Sequence, residues 1–253
     1  MTGPLTILPV SISYVPVSRF IQPDTLNMLL SSAATDTSFS PTTNRDRLLR
    51  RRFEGQSSML GHVEFIFDLG HWGLDRPPVI SDGKKYGSLL QILQYPFSRG
   101  SIHIQPPAID SNPRRPHLAI DPQYFGGRNG HLDLEIALQA HRFAEKISST
   151  QPLASIIQTQ VQPSLAETTD DDLRSWLKRV ATTDWHPVGT CAMAGDAGPA
   201  GGVVDERLRV YGVKGLRVVD ASVIPLQISA HLQATVYAIA EKAAAMIFED
   251  HSI

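Results

Sequence analysis

The spacing of apolar residues changes once along this 253-residue chain, and that change constrains its fold more than any other feature. Up to about residue 105 the apolar residues come in short runs broken by proline or glycine, and Val63, Phe65, Phe67 and Leu69 alternate with period two. Runs of this length read as strands. The sequence predicts a strand or two within residues 7–17 and further strands at 60–69, 89–95 and 100–105, the last two joined by a turn at 96–100. A polar Ser/Thr-rich stretch at 31–43 reads as a surface loop or lid, and Asn44 as the cap of a helix over 45–54. Residues 106–122 read as a proline-rich connection. From Gly130 onward the period becomes helical: Ile136, Ala140, Phe143 and Ile147 share one face. A second helix is predicted behind Thr168 or Thr169 and three aspartates, with Leu173, Trp176, Leu177 and Val180 as its buried stripe. Short strands follow at 203–204 and 216–219. A last helix from about His231 to Phe248 is expected to bury Val236, Ile239, Ala240, Ala243 and Ile247. Strands first and helices later, without βα alternation, predict an α+β fold with a mixed or antiparallel sheet, flanking helices and a C-terminal helix. We expect residues 1–182 to form a substrate-binding part, and 183–253 a C-terminal catalytic loop, strand and helix that complete a cleft.

Composition excludes several functions. A net charge of −2 and a pI near 6.5 leave no electrostatic footprint for nucleic acid. A single cysteine, Cys191, rules out an intrachain disulfide framework and a multi-thiolate metal centre within one chain. His103, His117, His131 and His141 are scattered among polar positions, so no metal site is expected. The first residues carry no charged segment before the apolar stretch, which Pro9 and Pro16 interrupt. That pattern predicts a cytoplasmic chain with neither signal peptide nor membrane span.

The residues that carry chemistry lie in the last third. His186 sits in Trp185-His186-Pro187-Val188-Gly189-Thr190, a turn punctuated by proline and glycine that can hold a ring at a cavity wall. His231 is predicted at the start of the last helix, whose positive end stabilises an anion beside it. Two imidazoles at element ends suit acid/base work near neutral pH. Trp185, Phe65 and Phe67 are the aromatics expected to line a substrate cavity. Cys191 reads as a small, buried apolar residue.

His186-Pro187-Val188-Gly189-Thr190-Cys191-Ala192-Met193, Gly202-Val203-Val204-Asp205, Gly215-Leu216-Arg217-Val218-Val219-Asp220-Ala221-Ser222 and the segment around Thr235-Val236-Tyr237 closely resemble the C-terminal part of the glucose-methanol-choline (GMC) flavoprotein oxidoreductases. Ser98-Arg99-Gly100-Ser101 and Asp121-Pro122-Gln123-Tyr124-Phe125 are similar to landmarks of that family's substrate domain, and Gly3-Pro4-Leu5-Thr6 to a segment in the middle of those enzymes. The resemblance implies that His186 takes the alcohol proton while hydride leaves for FAD. It implies that His231 binds the same hydroxyl, that Asp220 and Ala221 face the cofactor's pyrophosphate and ribityl chain, and that backbone groups near Leu232 and Gln233 face the reduced ring. The sequence departs from the family in one respect: it has no Gly-x-Gly-x-x-Gly turn to lay a dinucleotide on a helix N-terminus.

Three readings follow. In the first, the chain is a truncated oxidoreductase acting on CH–OH groups, with an FAD-binding half supplied in trans. In the second, motivated by Met1 standing just before Gly3-Pro4-Leu5-Thr6, it is a stand-alone enzyme without flavin that uses His186 and His231 for an isomerase, cyclase, dehydratase or lyase reaction. In the third, it is a non-catalytic subunit that pairs with itself or a partner through an apolar face.

Overall fold

A computed structural model describes residues 11–33, 41–54, 59–73, 83, 85–106 and 117–251. It divides into two compact units. The first comprises Met1–Ala34, Leu49–Ser98 and Tyr124–Thr182; the second comprises Thr35–Leu48, Arg99–Gln123 and Thr183–Ile253. In sequence, the second unit thus draws Thr35–Leu48 and Arg99–Gln123 together with Thr183–Ile253.

In the first unit β1 (Ser11–Val15), β2 (Val63–Asp68) and β3 (Ser88–Leu93) form an antiparallel sheet in that order. Tyr14 lies opposite Glu64, and Glu64 opposite Ile92. Side chains alternate across a sheet, so Val63, Phe65 and Phe67 share one face. On that face Phe65 packs edge-on against Phe20 and Phe143, with centroids 6.2 and 5.5 Å away. Phe143 belongs to α3 (Gly130–Ser148), which pairs with α4 (Asp170–Val180) around Leu134, Ala137, Leu138, Leu173, Trp176 and Leu177. Thr169 caps α4: its side chain accepts from the Asp172 N–H while the Asp172 carboxylate accepts from the Thr169 N–H.

Several elements differ from the sequence expectation. Residues 7–10, 34–40 and the Gly3–Thr6 likeness lie outside the described residues. The helix α1 (Pro23–Ser31) forms largely where no element is predicted, and α2 (Pro41–Arg52) begins three residues before Asn44. Proline stands at the first turn of both, where a missing N–H costs nothing. The turn at 96–100 does not join two strands of one sheet. β4 (Ser101–Gln105) pairs instead with β5 (His117–Asp121), which arises within the stretch read as a connection. Gly100 lets this hairpin close, because a Cβ there would fall 2.2 Å from the Asp121 carbonyl oxygen.

A buried imidazole ties the first unit together. His62 Nδ1 accepts from the Val17 N–H at 3.3 Å and its Nε2 lies 2.8 Å from the Arg52 carbonyl oxygen. Only the neutral ring with its proton on Nε2 serves both contacts. Burial depresses the His62 pKa below 6.5, against the opposing pull of its backbone hydrogen bonds. The buried ring of His141 is depressed too, first by burial. A base lowered in the folded state contributes its full stability above its unfolded value and loses it as pH falls towards the folded one. Unfolding free energies from urea titrations are therefore expected to fall as pH drops below 6.5, by up to about 1.4 kcal/mol per pH unit for each histidine. His62→Gln, whose amide can donate and accept in the same directions, is expected to flatten that slope; an unchanged slope would contradict the assignment.

The second unit has little regular strand beyond the β4–β5 hairpin. Isolated bridges join Met193 to Val204, Val204 to Val210 and Arg209 to Arg217. Its core is Val204, Leu208, Val223 and Ala243, with Met193, Val210, Val218, Val219 and Ile239 packed around it. α5 (Gln233–His251) starts two residues after His231. The predicted buried stripe reduces to Ala243, while Ile247 is 38% exposed. The small cluster reaches only one side of the helix. The end of α5 is held by Arg207, which donates to the Met246 carbonyl and to Glu249 and Asp250, and by Arg217, which pairs with Asp250.

Candidate active site

His186 and His231 come together in the second unit, with ring centroids 5.0 Å apart and planes at 82°. Backbone ties in the preceding core position the loop that carries His186. The Cys191 N–H donates to the Ser222 carbonyl and the Met193 N–H to the Val223 carbonyl, both at 3.0 Å. The Val203 N–H donates to the Ala192 carbonyl at 2.8 Å. Gly202 permits that approach, since a Cβ would fall 2.2 Å from the Ala192 oxygen. Gly189, at φ +85°, turns the chain between this anchored segment and the histidine. Gln227 Nε2 reaches the His186 carbonyl at 3.5 Å from the other side.

Trp185 stands at φ +56°, a conformation that costs a bulky residue free energy. This local twist brings Asp184 Oδ2 to 3.3 Å from His186 Nδ1. It leaves the indole 74% exposed, so Trp185 lines no enclosed cavity of this unit. His231 is exposed and His186 half-buried, so both rings remain reachable from solvent. Open cavities of about 360 and 290 Å³ among the described residues lie instead at residues 205–217 and 143–153. The expected cavity around the pair is thus an accessible surface within its own unit.

The other predicted residues divide. Phe65 and Phe67 are in the first unit, and Phe65, 3% exposed within its aromatic cluster, is a core residue and not a cavity wall. The Asp220 Oδ1 accepts from the Ser222 N–H at 2.8 Å and from its hydroxyl, capping the short turn that begins at Ala221. Leu232 is buried and Gln233 exposed at the first turn of α5, where N–H groups have no preceding helical carbonyl to bond. This donor set suits the electron-rich edge of a flavin ring: two imidazoles, the open end of a helix, and a carboxylate able to accept from ribityl hydroxyls. The sequence contains no Gly-x-Gly-x-x-Gly turn of the kind that holds a dinucleotide's phosphates, so the residues present fit the redox end of that cofactor. Among the described residues, no group of histidine, cysteine and acidic side chains could hold a metal, and no helix is long and apolar enough to cross a membrane. Asp184 was not singled out from the sequence; an acidic residue two positions before a site histidine gives no warning that the intervening tryptophan will fold the two together.

A sequence model of GMC oxidoreductases matches residues 96–240. The GMC oxidoreductase family protein Mala s 12 of Malassezia sympodialis is 40% identical over 162 residues, which is 63% of this chain and 24% of that protein. Versicolorin B synthase of Aspergillus parasiticus is 36% identical over 165 residues, 65% of this chain and 24% of that one. The fold is similar to that of an FAD-dependent oxidoreductase from Chaetomium thermophilum, with a TM-score of 0.68, 24% identity, and coverage of 96% of this chain and 39% of the other. The chain thus spans about a quarter of the length of these relatives and well under half of the solved structure. With the family pattern matched over more than half of its residues, the polypeptide belongs to the GMC oxidoreductase family and carries its C-terminal part.

Proposed function

We propose that this chain carries the proton-handling side of an oxidoreductase acting on CH–OH groups, with a nucleotide-binding portion lying outside this sequence. The observation that supports the reading most strongly is the edge-to-face approach of His186 and His231 on a reachable surface, 5.0 Å between ring centres. An alcohol is far too weak an acid to ionise alone near neutral pH, so an imidazole within hydrogen-bond reach lowers the barrier by taking the hydroxyl proton as the C–H bond breaks. His186 is that base. His231 orients the hydroxyl, keeping its proton on the line to His186. FAD, when bound, supplies the hydride acceptor. The first turn of α5, with Leu232 and Gln233, and the Asp220–Ala221 turn would hold its ring and ribityl chain. Substrates are small-molecule alcohols.

A second reading draws on one finding: a relative of 36% identity is named as a synthase and not as an oxidase. Two imidazoles can exchange protons with an organic substrate without a redox cofactor. Isolating the protein with whatever accompanies it in its source separates the two readings. The first expects a flavin absorbance band, bleached anaerobically by one of a panel of primary and secondary alcohols. A colourless preparation that consumes its substrate in flavin-free buffer would replace the first reading with the second.

A further inference from the structure

We propose that Asp184 is a positioning residue for His186: its carboxylate holds the proton on Nδ1 and so leaves Nε2 as the open, basic nitrogen. Asp184 Oδ2 is shut off from solvent and accepts no hydrogen bond. A buried carboxylate oxygen without a donor is costly, more so than a neutral acceptor. The imidazole Nδ1 stands 3.3 Å away. With the proton on Nδ1, the ring turns a polar N–H edge towards that oxygen, an electrostatic contact without full hydrogen-bond geometry. With a lone pair there, two acceptors face each other at the same distance and repel. The backbone supplies an independent reason to regard the pairing as built in. Trp185, between the two residues, adopts φ +56° and exposes 74% of its surface, so its own side chain gains little from a conformation that costs it free energy. What the twist achieves is the meeting of Asp184 with His186. A carboxylate behind an imidazole fixes its tautomer and orientation and stabilises the imidazolium formed when it takes a proton. The consequence for catalysis rests on His186 being the base proposed above; the tautomer itself does not.

The test is long-range proton–nitrogen correlation NMR on the intact, nitrogen-15-labelled chain at about pH 8.5, some two units above the ordinary imidazole value. The expected result is the Nδ1–H pattern for His186. In Asp184→Ala most of that signal should move to the Nε2–H pattern that an unconstrained histidine prefers, and Asp184→Glu should restore part of it. An Nε2–H pattern in the unaltered protein overturns the inference, and so does an Nδ1–H pattern that persists in folded Asp184→Ala. If Asp184→Ala does not fold, the pattern of the unaltered protein decides. Turnover by Asp184→Ala in the FAD-loaded assembly is expected to fall about 10- to 100-fold. A switched tautomer with unchanged turnover would keep the role of Asp184 and remove that of His186 as base.

Discussion

On the proposed function, replacing His186 with alanine is expected to lower alcohol turnover by about 10²- to 10⁴-fold, the usual worth of a positioned general base. The loss should appear in kcat, because the proton moves only as the C–H bond breaks, so the interaction belongs to the transition state. The fold should survive. The His186 side chain is 23% exposed, and the loop around it is held by main-chain bonds from Cys191 and Met193 that do not involve the ring. Unchanged far-ultraviolet circular dichroism beside a lost rate would locate the effect in the chemistry. A loss of less than tenfold would mean that the proton leaves by another route.

The second large effect concerns stability. Asp133 on α3 is 2% exposed and accepts from the Phe97 N–H at 2.8 Å, from the Ser98 N–H at 2.6 Å and from the Ser98 hydroxyl. One buried carboxylate thereby fixes the chain where it leaves β3. Asp133→Ala strands two backbone donors in a site with little water, at about 1–3 kcal/mol each. The expected cost is about 3 kcal/mol, read from urea unfolding at pH 7. Asp133→Asn keeps one acceptor and turns an N–H₂ group towards the donors, so it should fall between alanine and the native residue. A cost below about 1 kcal/mol for the alanine variant would mean that water replaces the carboxylate.

The elements legible in the sequence were those whose signal is local. The period of Ile136, Ala140 and Phe143 announced α3, and Thr169 before three aspartates announced α4 together with its cap. The alternation from Val63 to Phe67 located β2. The family pattern of the last third was legible as residues and needed no structure. What escaped depends on partners distant in the chain. β5 reads as a connection because His117–Asp121 becomes a strand only by pairing with β4. No element is predicted over most of α1, although its Pro23 suits a first helical turn. In α5, periodicity indicated which residues could be buried, but the small cluster covers only the side carrying Ala243 and Ile239. Phe65 and Phe67 alternate correctly, but alternation does not say whether a strand face meets a helix or a ligand; Phe143 takes the place beside Phe65. The approach of Asp184 to His186 depends on one residue in an uncommon backbone conformation, which composition does not foretell.

That His186 and His231 act on one hydroxyl, and not at separate steps, is tested most directly by a double-mutant cycle on kcat/KM in the FAD-loaded assembly. If both rings serve the same proton, His186→Ala combined with His231→Ala should be about as slow as His186→Ala alone, because groups that work as a unit lose their effect together. Losses that multiply, with the double variant slower by the product of the two single effects, would contradict the account.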